Sequence, residues 1–233
     1  MTENIGELLD EIWHEAKRAD FPVDTDVYQR SGRDPARPIL YAGSLDVPLC
    51  IVGRDLGKDE VRAGQPLIGA AGRLVRSGII HAWEQSQTSE QSSKPHDSIW
   101  EGALQHVLLT NTVPFKPVGN KAYSHAVRER FRPFLERFLV NHWKGQNVIT
   151  LGIQAFAWFA PYAKDAEMST AGSGRFDMAF RCTLPACNNG LVIGGKAVTV
   201  YPLPHPSPLN RRWYSRFPGM LAARLNEVRG QLT

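Results

Sequence analysis

Four short, apolar runs recur along the chain, and each stops at a glycine or proline. They are Pro48–Gly53, His106–Val113 (before Pro114), Asn147–Leu151 (before Gly152) and Ala197–Tyr201 (before Pro202). Their lengths and their β-branched content mark buried strands. Between them lie segments with the three-to-four-residue apolar spacing of amphipathic helices. Strands separated by helices argue for a parallel sheet covered on both faces. The expected fold is therefore α/β: a three-layer α/β/α sandwich around a central four-stranded, mainly parallel sheet. In such sheets ligands bind outside the C-terminal ends of the strands.

The helical segments can be placed in order. Residues 4–19 carry Ile5, Leu8, Leu9, Ile12 and Ala16 on one face, and residues 70–83 carry Ala71, Leu74, Val75 and Ile79. A longer helix is expected from Ser124 to Asn141, with Val127, Phe131, Phe134, Leu135 and Phe138 inward. Another begins near Gln154, and a closing helix runs from Gly219 to Arg229. Residues 21–47 read as an irregular approach segment, and 85–97 (QSQTSEQSSKPHD) as an exposed, mobile loop. Glycine-rich turns at 164–196 leave irregular strands or a hairpin open. No repeat and no second domain is visible, so residues 1–233 are read as a single domain long enough to bury a full core.

Composition excludes more than it selects. Lys and Arg total 27 against 23 Asp and Glu, a net charge of +4, which does not separate a nucleic-acid binder from an ordinary basic enzyme. The start of the chain, Met1-Thr2-Glu3-Asn4, does not read as a secretory signal. No apolar run approaches the roughly 18–20 residues needed to cross a bilayer. Three cysteines, an odd number, suit a reduced, cytoplasmic setting. Cys182 and Cys187 are spaced as a metal pair could be, but nothing nearby completes four ligands.

The loops after the strands hold the chemistry. After the last strand comes Tyr-Pro-Leu-Pro-His-Pro-Ser-Pro-Leu-Asn-Arg-Arg (201–212), with four prolines in seven residues. Each proline fixes its own φ and extends the residue before it, so His205, Ser207, Leu209 and Asn210 leave the backbone in nearly fixed directions. Arg211, Arg212 and Arg216, interleaved with Trp213 and Tyr214, form the densest basic–aromatic patch, a pattern suited to phosphates and bases. After the first strand, Gly53-Arg54-Asp55 places a carboxylate two residues past a glycine, where it can point into the crevice. Asp59 and Glu60 read as solvated or as the start of a helix. Many glycines follow, but no Gly-Lys-Ser/Thr ending marks a phosphate loop. After the second strand stands Asn111, whose amide offers a donor and an acceptor together. Gly152 and Ala155, after the third strand, read as packing residues.

His205-Pro206-Ser207-Pro208-Leu209-Asn210 resembles the late signature loop of the uracil-DNA glycosylase superfamily. Gly53-Arg54-Asp55 matches the first motif of its uracil-excising branch. Gly64-x-Pro66-Leu67-Ile68-Gly69-x-Ala71-Gly72 is similar instead to the iron–sulfur-bearing branch, and Asn111 matches the superfamily's pyrimidine-reading asparagine. The resemblance spans residues 48–215 and implies a monomeric DNA-repair hydrolase that flips uracil from DNA and cleaves its glycosidic bond, with uracil-containing and possibly abasic DNA as partners and no membrane. It implies Asp55 and His205 as catalytic residues, and Gly53, Arg54, Leu67 and Asn111 against the base. Ser207, Leu209, Asn210, Arg211 and Arg212 would meet the DNA, with Leu209 entering the base stack.

Two departures stand out. Leu67 occupies the position of the aromatic that stacks on uracil, and Gly57 that of the tyrosine that bars thymine. Phe115-Lys116-Pro117 stands where the cluster-bearing branch has a cysteine, and three cysteines cannot supply four thiolates, so neither an iron–sulfur cluster nor any other metal or cofactor is expected. The alternatives are a uracil- or abasic-site-binding damage-recognition protein with little turnover, and a nucleoside or nucleotide N-glycosidase. A covalently crosslinking relative is disfavoured because residues 121–130 (KAYSHAVRER) match that branch's basic insertion poorly.

Overall fold

The computed structural model describes residues 4–18, 20–84, 101–164, 168, 173–188 and 191–231. The expected loop at 85–97 lies outside them. Six strands form one sheet: β1 (Tyr41–Ala42), β2 (Leu49–Gly53), β3 (Leu108–Asn111), β4 (Asn147–Leu151), β5 (Phe180–Asn188) and β6 (Leu191–Leu203). Their order is β1-β3-β2-β4-β6-β5. The middle four run parallel, as expected, while β1 and β5 pair antiparallel at the two edges. The count is therefore six rather than four.

The two added edges have physical reasons. β6 is not confined to Ala197–Tyr201 but starts at Leu191 and returns along β5 as a hairpin. Of the two readings left open for this stretch the structure has the hairpin, with Gly194 and Gly195 inside β6. At Gly195 a Cβ would press on the Thr183 methyl of β5, so glycine permits the two strands to approach there. The approach segment 21–47 is also more ordered than its composition implies. It contains helix α2 (Thr25–Arg30) as well as β1. The Lys116 amine meets Asp24 at 2.7 Å and the Lys116 backbone N–H donates to the Tyr28 hydroxyl at 3.1 Å, while Thr110 Oγ1 donates to the Leu40 carbonyl.

Helices cover both faces. α1 (Ile5–Arg18) and α5 (His125–Arg137) lie on one side, and α4 (Ala70–Glu84) and α8 (Phe217–Gly230) on the other. Short α3 (Lys58–Ala63), α6 (Ile153–Trp158) and α7 (Arg211–Tyr214) follow the strand ends. The period-two geometry of a strand divides β2 between the layers. Cys50 and Val52 pack with Leu8, Ile12 and Phe131, whereas Leu49 and Ile51 pack with Val75, Ile79 and Leu221. Ser124 caps α5 by accepting from the Val127 N–H. The expected helix to Asn141 changes character at Phe138, where a π-helical turn runs to His142.

Register fixes where the functional loops emerge. Gly53 pairs with Asn111, and Leu151 with Leu203. All four parallel strands therefore finish at one edge of the sheet, bringing residues 53–56, 111–115, 152–154 and 204–210 side by side.

Candidate active site

The turn after β2 is tied to the turn after β3. Thr112 N–H donates to the Gly53 carbonyl at 3.0 Å, and the Arg54 carbonyl accepts from Thr112 Oγ1 at 2.6 Å and Val113 N–H at 3.2 Å. Glycine is required at position 53 by its neighbours. A Cβ there would collide with the Asn111 carboxamide oxygen and lie 3.7 Å from Leu67 Cδ2. Asn111 is buried, and its amide nitrogen has no hydrogen-bond acceptor. Gly53, Leu67 and Asn111, separated along the chain, are thus neighbours in space.

Leu67 is held in an uncommon conformation, with φ of +54°. Its carbonyl accepts from the buried Arg76 guanidinium at 3.0 Å, and the Pro66 carbonyl accepts from the same group at 3.1 Å. Burial pushes the Arg76 pKa down to about 10, so the side chain stays charged at neutral pH. Gly72 lets α4 begin directly against this loop, since a Cβ there would overlap the Leu67 carbonyl. Glu60 completes the clamp by accepting from the Ile68 and Gly69 N–H groups at 3.2 and 3.1 Å. Its other carboxylate oxygen lies against Gly57, where any Cβ would meet it. The helix-start reading of Asp59 and Glu60 holds, but Glu60 turns into the site.

Asp55 stands at the strand end beside Arg54, behind the residues that line the neighbouring cleft. Its side chain is 2% exposed and bonds through Oδ2 to Arg54 Nε at 2.7 Å. Oδ1 is buried with no hydrogen-bond partner. A buried carboxylate seeks the cation within reach, and here that cation is the preceding residue. Burial raises the Asp55 pKa to about 6, although Arg54 chiefly, and Arg128 and the Tyr123 backbone to a lesser extent, oppose the rise.

Arg54 faces the other way as well, into a cleft of about 470 Å³ shared with His205. The cleft runs between the start of α6, the proline loop and α7. Gly152 shapes its floor: at φ +91° its N–H donates to the Leu203 carbonyl, and a Cβ would lie 3.2 Å from His205 Cβ. The His205 ring reaches solvent. Partial burial nevertheless lowers its pKa, and the Arg54 charge lowers it further against a weaker pull from Glu60. The imidazole is therefore neutral at pH 7.

The rest of the proline loop is tied to itself. The His205 carbonyl accepts from Ser207 N–H at 2.9 Å and from Asn210 Nδ2 at 3.1 Å. Leu209 at its tip is 94% exposed. Asn210 and Arg212 line the cleft, whereas Ser207, Leu209 and Arg211 lie outside its lining. Trp213 packs edge-on against Phe176 with ring centroids 5.2 Å apart.

The expected residues thus form two adjoining groups. Gly53, Leu67 and Asn111 meet at the ends of β2 and β3; His205, Asn210 and Arg212 share the cleft. Arg54, paired to Asp55, bridges them. Four participants escaped the sequence reading: Glu60, Arg76, Arg175 and Phe176, the last two being cleft residues from the glycine-rich stretch. The Cys50 and Cys182 side chains are buried in the core, with the Cys182 thiol 3.8 Å from the Phe159 carbonyl oxygen. Among the described residues no three His, Cys, Asp or Glu side chains gather as metal ligands, and no helix is long and apolar enough to cross a membrane.

Comparison with known proteins gives this arrangement a family. The model of the uracil DNA glycosylase superfamily matches residues 40–229, from the residue before β1 into α8, and so encloses both groups of site residues. No curated protein matches the chain. The chain belongs to the uracil DNA glycosylase superfamily, whose members carry a DNA-glycosylase type of function on DNA.

Proposed function

We propose that the protein excises uracil from DNA by hydrolysing its N-glycosidic bond and leaving an abasic site. The observation that carries this reading is the buried Asn111 amide nitrogen with no acceptor, on a carboxamide that fits against β2 only because residue 53 is glycine. A buried unpaired donor costs about 1–3 kcal/mol, which a ligand acceptor recovers. Uracil offers O4 as that acceptor and N3–H as a donor to the amide oxygen; cytosine presents the reverse pattern.

The base reaches this group only when extruded, a step that favours weakly paired uracil. As the C1′–N1 bond breaks, the bonding electrons leave with uracil and the sugar becomes oxocarbenium-like. Neutral His205 donates a hydrogen bond to the charge growing on uracil O2, a contribution of roughly 3–4 kcal/mol for a well-placed donor. Asp55, ionised above about pH 6, stabilises the sugar cation and takes a proton from the water that adds to C1′. Departing uracil is the eventual proton acceptor. Glu60 takes the place of the missing tyrosine at Gly57, crowding the methyl group of thymine. Ser207 and Arg211 meet phosphates, and Leu209 fills the vacated stack. The chemistry asks for no metal or redox group.

The pairing of Asp55 with Arg54, away from the cleft, favours a second reading: a binder of uracil or abasic DNA that turns over little. One experiment separates the two. Labelled oligonucleotides carrying U, T, hypoxanthine or xanthine, single- and double-stranded, are incubated in molar excess over the protein and then cleaved with alkali. Excision predicts alkali-labile product from U with multiple turnover. Binding of the U strand without product establishes the second reading.

A further inference from the structure

The cleft beside His205 is larger and more basic than uracil recognition needs. Arg54, Arg175 and Arg212 line it, and among the described residues no carboxylate does. Asp55 answers part of the Arg54 charge from behind the cleft. One wall is aromatic: Phe176 and Trp213, with the Arg212 guanidinium 4.9 Å from the Trp213 ring centre. Gln154 also lines the cleft, and its buried Oε1 has no hydrogen-bond partner. The volume, about 470 Å³, falls in the roughly 300–1,000 Å³ range of small-ligand sites. Asn111 and Leu67, which meet at Gly53, are not among its lining residues.

Converging guanidinium groups suit a phosphate, while an aromatic wall suits a flat ring. A nucleotide supplies both on one scaffold. We propose that this cleft is a second nucleotide subsite, taking the phosphate and the unstacked base of one neighbour of the excised nucleotide. The arginines hold the phosphate, the Phe176–Trp213 wall holds the base, and the Gln154 amide oxygen accepts from a base N–H. Inside a duplex the neighbour's faces are covered by stacking, so the subsite favours single-stranded or locally opened DNA. The proposal rests on the reading that extruded uracil lies against Asn111, since that sets which nucleotide is the neighbour.

The test uses binding, so that it is independent of turnover. Single-stranded 11-mers carry a central tetrahydrofuran residue, with thymine on both sides or a further tetrahydrofuran replacing the 5′ or the 3′ neighbour. Fluorescence anisotropy on the full chain is expected to show about tenfold weaker binding when one particular neighbour loses its base, and little change for the other. Trp213→Ala and Phe176→Ala should each shrink that asymmetry. Arg212→Ala, at an exposed position, should lower the salt slope of log Kd by about one without removing it. Free deoxynucleoside monophosphate at the same concentration should compete poorly; strong competition would assign the cleft to a free nucleotide and overturn a DNA subsite. Equal binding of all three strands, or an asymmetry untouched by both aromatic variants, also overturns it. Uracil release with symmetric binding sinks the subsite alone; asymmetric binding without release sinks the excision reading alone.

Discussion

The two halves of the candidate site are built in opposite ways. Around Gly53, Asp55, Leu67 and Asn111, side chains are buried and the backbone is tied to distant parts of the chain, through Thr112, Arg76 and Glu60. Around Ser207 and Leu209 the loop bonds mainly to itself and ends in a leucine surrounded by solvent. A buried group that must discriminate between bases gains from being immobile, because each mismatch then leaves a polar atom unpaired. A loop that enters DNA has no partner until DNA arrives, so proline stiffness replaces contacts as the source of its order. His205 belongs to both halves: its ring meets the cleft, while its carbonyl anchors the exposed loop.

Substitutions should break that contrast in graded steps. Asp55→Asn keeps the size and burial of the side chain but loses the charge, and single-turnover uracil release should slow by about 10²–10⁴-fold. His205→Ala should slow release by about 10²–10³-fold through the lost donor. Neither should change oligonucleotide affinity by more than a few-fold in anisotropy titrations. Leu209→Ala should leave the thermal midpoint unchanged while weakening action on duplex uracil by about 10- to 100-fold, since up to roughly 1.5–3 kcal/mol of leucine burial is lost. Single-stranded substrate should be spared. Arg76→Met acts only on the rigid half: it orphans the Leu67 and Pro66 carbonyls and should cost about 1–3 kcal/mol for each, read as a lower urea midpoint. Equal stability losses from Leu209→Ala and Arg76→Met would erase the distinction between the halves.

Glu60 sharpens the comparison from the specificity side. Glu60→Ala opens the space beside Gly57 and should yield measurable thymine release from a G·T mismatch. Glu60→Gln retains the bulk and an acceptor for the Ile68 and Gly69 N–H groups, and should not. Thymine release by both variants, or by neither, would move discrimination elsewhere.

Much of this was legible in the residues, for identifiable reasons. The four parallel strands are buried on both faces, so each reads as an unbroken apolar run. Asp55, Asn111 and His205 stand just past or at the ends of such runs, where sheet geometry alone directs attention. β5 and the first half of β6 were legible only as irregular strands or a hairpin, because glycines such as Gly194 and Gly195 suggest turns, and only the close passage of Thr183 explains Gly195. Arg175 and Phe176 sit in a 3₁₀ turn with no periodicity to announce them. The roles of Glu60 and Arg76 depend on residues 65–69 folding back across α3 and α4, a contact between stretches that no local pattern encodes. The Asp55–Arg54 pair was not legible for a related reason: the carboxylate's nearest cation is its own chain neighbour, and burial drives the two together.

The central claim is that Asp55 acts as a carboxylate around an extruded uracil. Burial lifts its pKa to about 6 in the folded protein, against about 4 for an unperturbed aspartate. The folded state thus binds that proton more tightly, so this group's contribution to stability falls as pH rises from about 4 to 6, while activity rises. His205, whose pKa is lowered by burial, adds no loss of activity above neutral pH. The decisive measurement is single-turnover uracil release from single-stranded DNA between pH 5 and 8.5, for the wild type and Asp55→Asn. The account predicts a wild-type rate that climbs through about pH 6 and then stays level, with the climb absent from the variant's residual activity. The same acidic limb in Asp55→Asn would contradict it.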